Sequence, residues 1–146
     1  RTLLITLMRH GAAAATAPSD ALRPLTGSGR REVQVVAGLL GSHSLPDAII
    51  SSPYLRARQT AAIVAETNQL LIAPQWPEIT PLGSIDTVME LVFQQTNPVF
   101  LVFHMPLIAQ LIYALTGERI NVPTASVFTM ALPAGQMTGA KMLWKL

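Results

Sequence analysis

Three short apolar runs punctuate the chain, and each is followed by a stretch with helical spacing. Residues 3–8 (LLITLM), 48–51 (AIIS) and 99–103 (VFLVF) are β-prone and bounded by polar or turn-forming residues, so they read as core strands. Thr26 or Ser28 can cap a helix whose Val33, Val36, Ala37 and Leu40 fall at i, i+3, i+4 and i+7. A second helix is expected over residues 55–67. Ser84 can cap a third, with Ile85, Val88, Met89 and Val92 on one face. Pro106 suits the first turn of a fourth, with Leu107, Ile108, Leu111, Ile112 and Leu115 inward and Gly117 closing it. Residues 126–131 and 140–146 read as two further strands, a hairpin about Pro133-Ala134-Gly135. The proline-bearing segments 11–25 and 68–83 are expected to be irregular.

Alternating strands and helices imply right-handed crossovers and a sheet covered on both faces. The expected fold is α/β: a single three-layer α/β/α domain over residues 1–146 with a mostly parallel central sheet. In such sheets ligands bind at the carboxyl ends of the strands. Strand one ends in Arg9-His10, just before Gly11. Strand two ends in Ser51-Ser52, with Arg56 four residues on. Strand three ends in His104. Each alone reads as a polar residue marking where a strand surfaces. Three on one edge read as a site.

Charge is scarce enough to make that placement informative. Only 12% of the residues are charged, against roughly 25% in an average soluble domain. The surface is therefore neutral, or carries an apolar patch for a partner. Seven of the ten basic residues, all arginines, lie between Arg1 and Arg58, offset there by Asp20, Glu32 and Asp47 alone. An anion site built from the first half follows, whereas the basic stripe of a nucleic-acid binder is missing. There is no cysteine, so disulfides and thiolate metal sites are excluded. His10, His43 and His104 lack metal-ligand spacing, and His43 reads as a surface residue at a helix end. GSGRRE is not a phosphate loop, and Ser51 and Ser52 lack the context of a nucleophile elbow. Trp76 and Trp144 read as packing residues. The start of the chain resembles a signal peptide and residues 98–117 a membrane span, but Arg9-His10 and His104, Pro106 and Gln110 interrupt them. A soluble cytoplasmic protein is expected.

Two arginine forks match phosphate oxygens. A neutral imidazole can attack phosphorus and form a covalent intermediate. A second histidine can donate to an oxygen on which charge builds. The constellation is suited to phosphoryl transfer without a metal or other cofactor, and the nearby cations are expected to keep His10 neutral by like-charge repulsion.

LMRHG, then SSPYLRARQTA, then LVFHMP, in that order, resembles the histidine phosphatase superfamily, the phosphoglycerate mutase-like family. With RPLTGSG after the RHG and ITPLGS mid-chain, the sequence is most similar to the SixA-type phosphohistidine phosphatases. The resemblance spans nearly the whole chain and implies a phosphoglycerate mutase-like fold. It makes His10 the nucleophile, Arg9 and Arg56 phosphate clamps, and His104 the second pocket histidine. Arg58 competes with Arg56 for the clamp, but two residues along a helix points it elsewhere. Arg23 can reach the pocket rim or form a structural salt bridge.

Two departures stand out. Ala12 follows RHG where many relatives carry a polar residue. The family's usual acid, a mid-chain carboxylate, has only Glu78 as a rough counterpart, either catalytic or simply an exposed loop residue. The difference bears on substrate. An alkoxide leaving group, its conjugate acid near the pKa of water at about 15.7, needs a proton donor. Imidazole, at about 6.5, can leave already protonated. The expected substrate is thus a phosphohistidine on a histidine-phosphotransfer domain or similar carrier. The alternatives are a small phosphomonoester on the same site, or a non-catalytic module that binds a phospho-ligand.

Overall fold

The apolar runs found in the sequence lie side by side. The computed structural model describes residues 2–146. Its strands are β1 (Leu3–Arg9), β2 (Ala48–Ser51), β3 (Leu71–Ile72), β4 (Val99–Phe103), β5 (Val127–Leu132) and β6 (Lys141–Lys145). Among the described residues they form one sheet in the order β3-β2-β4-β1-β5-β6. The first four are mutually parallel, and β5 and β6 return antiparallel as the expected hairpin. The helices are α1 (Gly27–Leu40), α2 (Leu55–Asn68), α3 (Ile85–Phe93) and α4 (Leu107–Thr116).

Local chemistry accounts for the helix ends. Thr26, rather than Ser28, caps α1, its Oγ1 accepting from the Gly29 N–H at 2.9 Å. Ser84 caps α3 through the Thr87 N–H at 3.3 Å. Gly117 closes α4 at φ +77°, the left-handed conformation that glycine adopts without a steric penalty. Pro106 stands one position earlier than expected, as the N-cap of α4.

The sheet separates two cores. Ile5, Leu7, Leu101, Phe103, Phe128 and Met130 face α3 and α4, meeting Val88, Val92 and the whole predicted inner face of α4. Met8, Ile49, Phe100, Val102 and Val127 face α1 and α2, meeting Val33, Ala37, Ala57, Ala61 and Val64. Alternation along β4 sends successive side chains to opposite cores. Hence all five of its residues are buried. The layers are those of a three-layer α/β/α fold.

One element departs from expectation. Residues 68–83 are not wholly irregular, since Leu71 and Ile72 add β3 at the sheet edge, paired with Ala48 and Ile49. Both side chains are exposed, so two residues leave no hydrophobic pattern to read. The strand follows from pairing alone. Among the described residues no helix is long and apolar enough to cross a membrane. Trp76 packs against the α3/α4 core and Trp144 against the α1/α2 core, where it stacks on His43 with ring centroids 3.9 Å apart.

Candidate active site

Register brings the strand ends together. Arg9 pairs with Phe103 across β1 and β4, so the residues that follow, His10 and His104, emerge beside one another. The His10 N–H donates to the Phe103 carbonyl at 3.1 Å, extending the ladder by one residue. The two imidazole rings lie 5.1 Å apart, tilted by 58°. Arg56, on the first turn of α2, reaches the same point: its Nε–H donates to His10 Nε2 at 3.3 Å. His10, Arg56 and His104 are all buried.

The nucleophile candidate has a defined tautomer. His10 Nδ1 lies 2.6 Å from the Gly11 carbonyl oxygen, which can only accept, so Nδ1 carries the proton. Nε2 therefore keeps its lone pair, facing Arg56. Burial pushes the His10 pKa down to about 4, opposed by the Gly11 hydrogen bond and assisted by the charges of Arg56, Arg9 and Arg23. Like-charge repulsion thus contributes to keeping His10 neutral, as expected, but desolvation is the larger cause. His104 is lowered further, to about 3, by burial first and then by His10 and Arg56.

The two arginines are held differently. Arg56 donates through Nη1 to the Asp20 carbonyl at 2.7 Å and through Nη2 to the Asp20 carboxylate at 3.2 Å. Arg9 donates to the Val122 carbonyl at 2.9 Å, while its buried Nε has no partner among the described residues. Burial lowers the Arg9 pKa, and the carboxylate of Glu32 opposes that. Arg58 is exposed and donates to the Pro53 carbonyl, away from the cluster. Arg23 forms the salt bridge, to Asp20 at 2.8 Å, and its charge still reaches His10. No hydrogen bond or ion pair joins the exposed Glu78 carboxylate to the cluster, among the described residues.

Three residues given no place in the site from the sequence, Asp20, Thr60 and Glu32, complete the surroundings together with Ser52 from the end of strand two. Asp20 links Arg23 to Arg56, and its own pKa is depressed by Arg23 first. Thr60 accepts from the Gly11 N–H at 3.1 Å and donates to the Arg56 carbonyl at 2.8 Å, tying the loop after His10 to α2. Glu32 accepts from the Ala12 N–H and from Thr124. Ser52 lies 2.6 Å from His104 Nε2. The loop is pressed close to α1: a Cβ on Gly11 would lie 2.6 Å from Val33 Cγ2, so no larger residue fits there without a shift.

Two imidazoles and two guanidinium groups at the carboxyl edge of a parallel sheet have the chemistry to hold an oxyanion beside a nitrogen nucleophile. Comparison with known proteins agrees. A profile for the Histidine phosphatase superfamily (branch 1) matches residues 5–80. The chain is 35% identical over 127 residues to the phosphohistidine phosphatase SixA of Escherichia coli, covering 82% of this chain and 79% of that protein. It is 31% identical to a SixA homolog of Haemophilus influenzae, over 79% of this chain and 78% of the relative. The solved structure of the protein histidine phosphatase SixA complexed with tungstate superimposes with a TM-score of 0.88 at 29% identity, over 99% of this chain and 96% of that one. The chain belongs to the histidine phosphatase superfamily and is a hydrolase of the phosphatase class.

Proposed function

We propose that the protein dephosphorylates phosphohistidine on another protein, a histidine-phosphotransfer domain or a carrier like it, through a phosphohistidine formed on His10. The observation that carries this reading is the tautomer of His10. With Nδ1–H donated to the Gly11 carbonyl, Nε2 holds a lone pair beside the Arg56 guanidinium. Depression of its pKa to about 4 keeps Nε2 unprotonated at neutral pH, so that only the Arg56 hydrogen bond has to yield for attack.

Nε2 forms a bond to phosphorus as the P–N bond of the substrate breaks. The departing imidazole takes up a proton from solvent. Arg9 and Arg56 offset charge on the phosphoryl oxygens, and His104 donates to one of them. Water then attacks the phosphorus of phospho-His10, which releases phosphate and restores the imidazole. Residues of this chain supply every charge the transfer needs, so no metal enters the scheme. No hydrogen bond or ion pair ties Glu78 to the cluster among the described residues, which suits a leaving group of pKa about 6.5 that needs no strong acid. The relatives named for phosphohistidine substrates point the same way. A cytoplasmic location remains part of this reading.

The test is a denaturing alkaline quench during turnover of a 32P-phosphohistidine carrier protein, with common phosphomonoesters run alongside. Acid-labile, alkali-stable label on the wild-type protein and none on His10→Ala is the expected result. Full turnover by His10→Ala would overturn the scheme. Faster turnover of a phosphomonoester than of the carrier would overturn the substrate assignment alone.

A further inference from the structure

The Ser52 hydroxyl is completely buried at the end of β2, and the scheme above gives it no role. Its backbone N–H donates to the Val102 carbonyl at 3.2 Å, continuing the β2–β4 ladder and fixing where the side chain starts. Oγ then meets two groups. The Tyr54 N–H donates to it at 3.1 Å, and His104 Nε2 lies 2.6 Å away. The His104 ring is confined by the edge of the Tyr54 ring, with centroids 5.1 Å apart, and by His10 on another side. His104 Nδ1 is buried and has no partner among the described residues.

Counting hydrogens decides which way the short contact runs. A serine hydroxyl has one hydrogen to donate and two lone pairs. Tyr54 takes one lone pair, and His104 Nε2 is the acceptor left within reach of the hydrogen. If Nε2 carried the proton instead, the hydroxyl hydrogen would be left without a protein partner at a fully buried position. The bare Nδ1 would then have no hydrogen to offer a phosphoryl group, whose oxygens are acceptors too. With Nε2 accepting, Nδ1 carries a hydrogen that nothing in the protein uses. The structure assigns Ser52 as a positioning residue: its hydroxyl locks His104 as the Nδ1–H tautomer, so that the ring presents a donor to the transferring phosphoryl group.

The tautomer does not depend on the proposed function, whereas its catalytic consequence rests on that reading. Neutral imidazole in water favours the opposite, Nε2–H form, so the lock has something to oppose. His104 is held neutral well below physiological pH, which makes the choice of tautomer, and not its charge, decide whether it can donate.

Ring-nitrogen NMR of the uniformly 15N-labelled full chain, assigned by comparison with His104→Ala, reads the tautomer directly. The wild type is expected to show a protonated Nδ1 and an unprotonated Nε2 on His104. Ser52→Ala is expected to shift the population towards Nε2–H and to slow phosphoenzyme formation from phosphoramidate about tenfold, with KM changed by less than about twofold. Ser52→Thr keeps the hydroxyl and should restore both the spectrum and the rate. An Nε2–H signature in the wild type overturns the assignment whether or not any variant folds. So does an unchanged spectrum or an unchanged rate in folded Ser52→Ala. If the spectra behave as expected but wild-type protein forms no phosphoenzyme at all, the tautomer lock stands and the proposed function fails.

Discussion

The two faces of the sheet do different work. Against α3 and α4 the core is built from large aliphatic and aromatic side chains, and the hydrogen bond from α4 to the strand-end cluster is a backbone one, the Ile108 N–H donating to the His104 carbonyl at 2.9 Å. Against α1 and α2 the core is smaller, with Ala37, Ala57, Ala61 and Ala65 in it, and polar side chains from both helices reach the loop after His10. Arg56, Thr60 and Gln59 come from α2, and Glu32 from α1. One face supports the strands, and the other arranges the groups at their ends. Activity and stability should therefore separate by face.

The largest expected effect lies on the α1/α2 face. Under the proposed scheme Arg56→Ala should lower kcat/KM by about a hundredfold or more, since the guanidinium charge beside His10 Nε2 is lost. Arg58→Ala, two residues along the same helix, should change it by less than about twofold, because that side chain is exposed and bonded to the Pro53 carbonyl. Steady-state kinetics on both variants sharpens the contrast, and a reversal would show that the wrong arginine has been assigned.

The opposite face should show the complementary pattern. Leu111 on α4 is completely buried, so Leu111→Ala should cost about 2–5 kcal/mol in urea denaturation. Its kcat under native conditions should stay within about twofold of wild type, because α4 supplies no side chain to the cluster. A large loss of kcat in the folded variant would break the separation.

A third prediction reads the two histidines by pH. Their folded pKa values, about 4 for His10 and about 3 for His104, lie below the ordinary value of about 6.5. Below pH 6.5 the unfolded chain binds protons that the folded chain refuses, so stability falls with pH from about 6.5 down to the folded values. Denaturant midpoints should show that fall, and His10→Ala should make it shallower. Corrected for substrate ionisation, kcat/KM should keep its acid limb near pH 4 and not near 6.5. A limb near 6.5 would mean that burial on the α1/α2 face does not hold His10 neutral.

What could be read in advance follows the same division. The strands, the inner face of α4 and the histidines at the strand ends are local in sequence: a short apolar run, a period of 3.6 residues, and the residue that follows. Register then did the rest for His10 and His104. Asp20, Glu32 and Thr60 gave no such signal, because each matters only where a loop or helix folds back. Asp20 sits in a proline-bounded stretch as an ordinary loop carboxylate, and its pairing with Arg56 spans 36 positions. The hydroxyl of Ser52 was visible in SSPYLR, but its partner lies 52 positions away, just past the carboxyl end of β4. Strand β3 was invisible for the opposite reason. Its two exposed side chains carry no pattern, and only backbone pairing makes it a strand.

The smallest effect is expected at Glu78, the one acid candidate tied to the α3/α4 face. Its neighbour Ile79 is buried in that core, while the Glu78 side chain is exposed and its carbonyl holds the Thr80 N–H at 3.1 Å. Among the described residues no hydrogen bond or ion pair holds that carboxylate in place. Glu78→Gln should therefore change turnover of both phosphohistidine and a phosphomonoester by less than about twofold, the range expected for a surface substitution. Running the two substrates together gives the measurement its force. An acid that protonates the leaving group matters most where that group is an alkoxide with a conjugate acid near pKa 15.7, and least where it is imidazole. A loss confined to the phosphomonoester would show that Glu78 swings in to protonate oxygen leaving groups. It would also show that the supporting face contributes a catalytic side chain, and the division between the two faces would have to be abandoned.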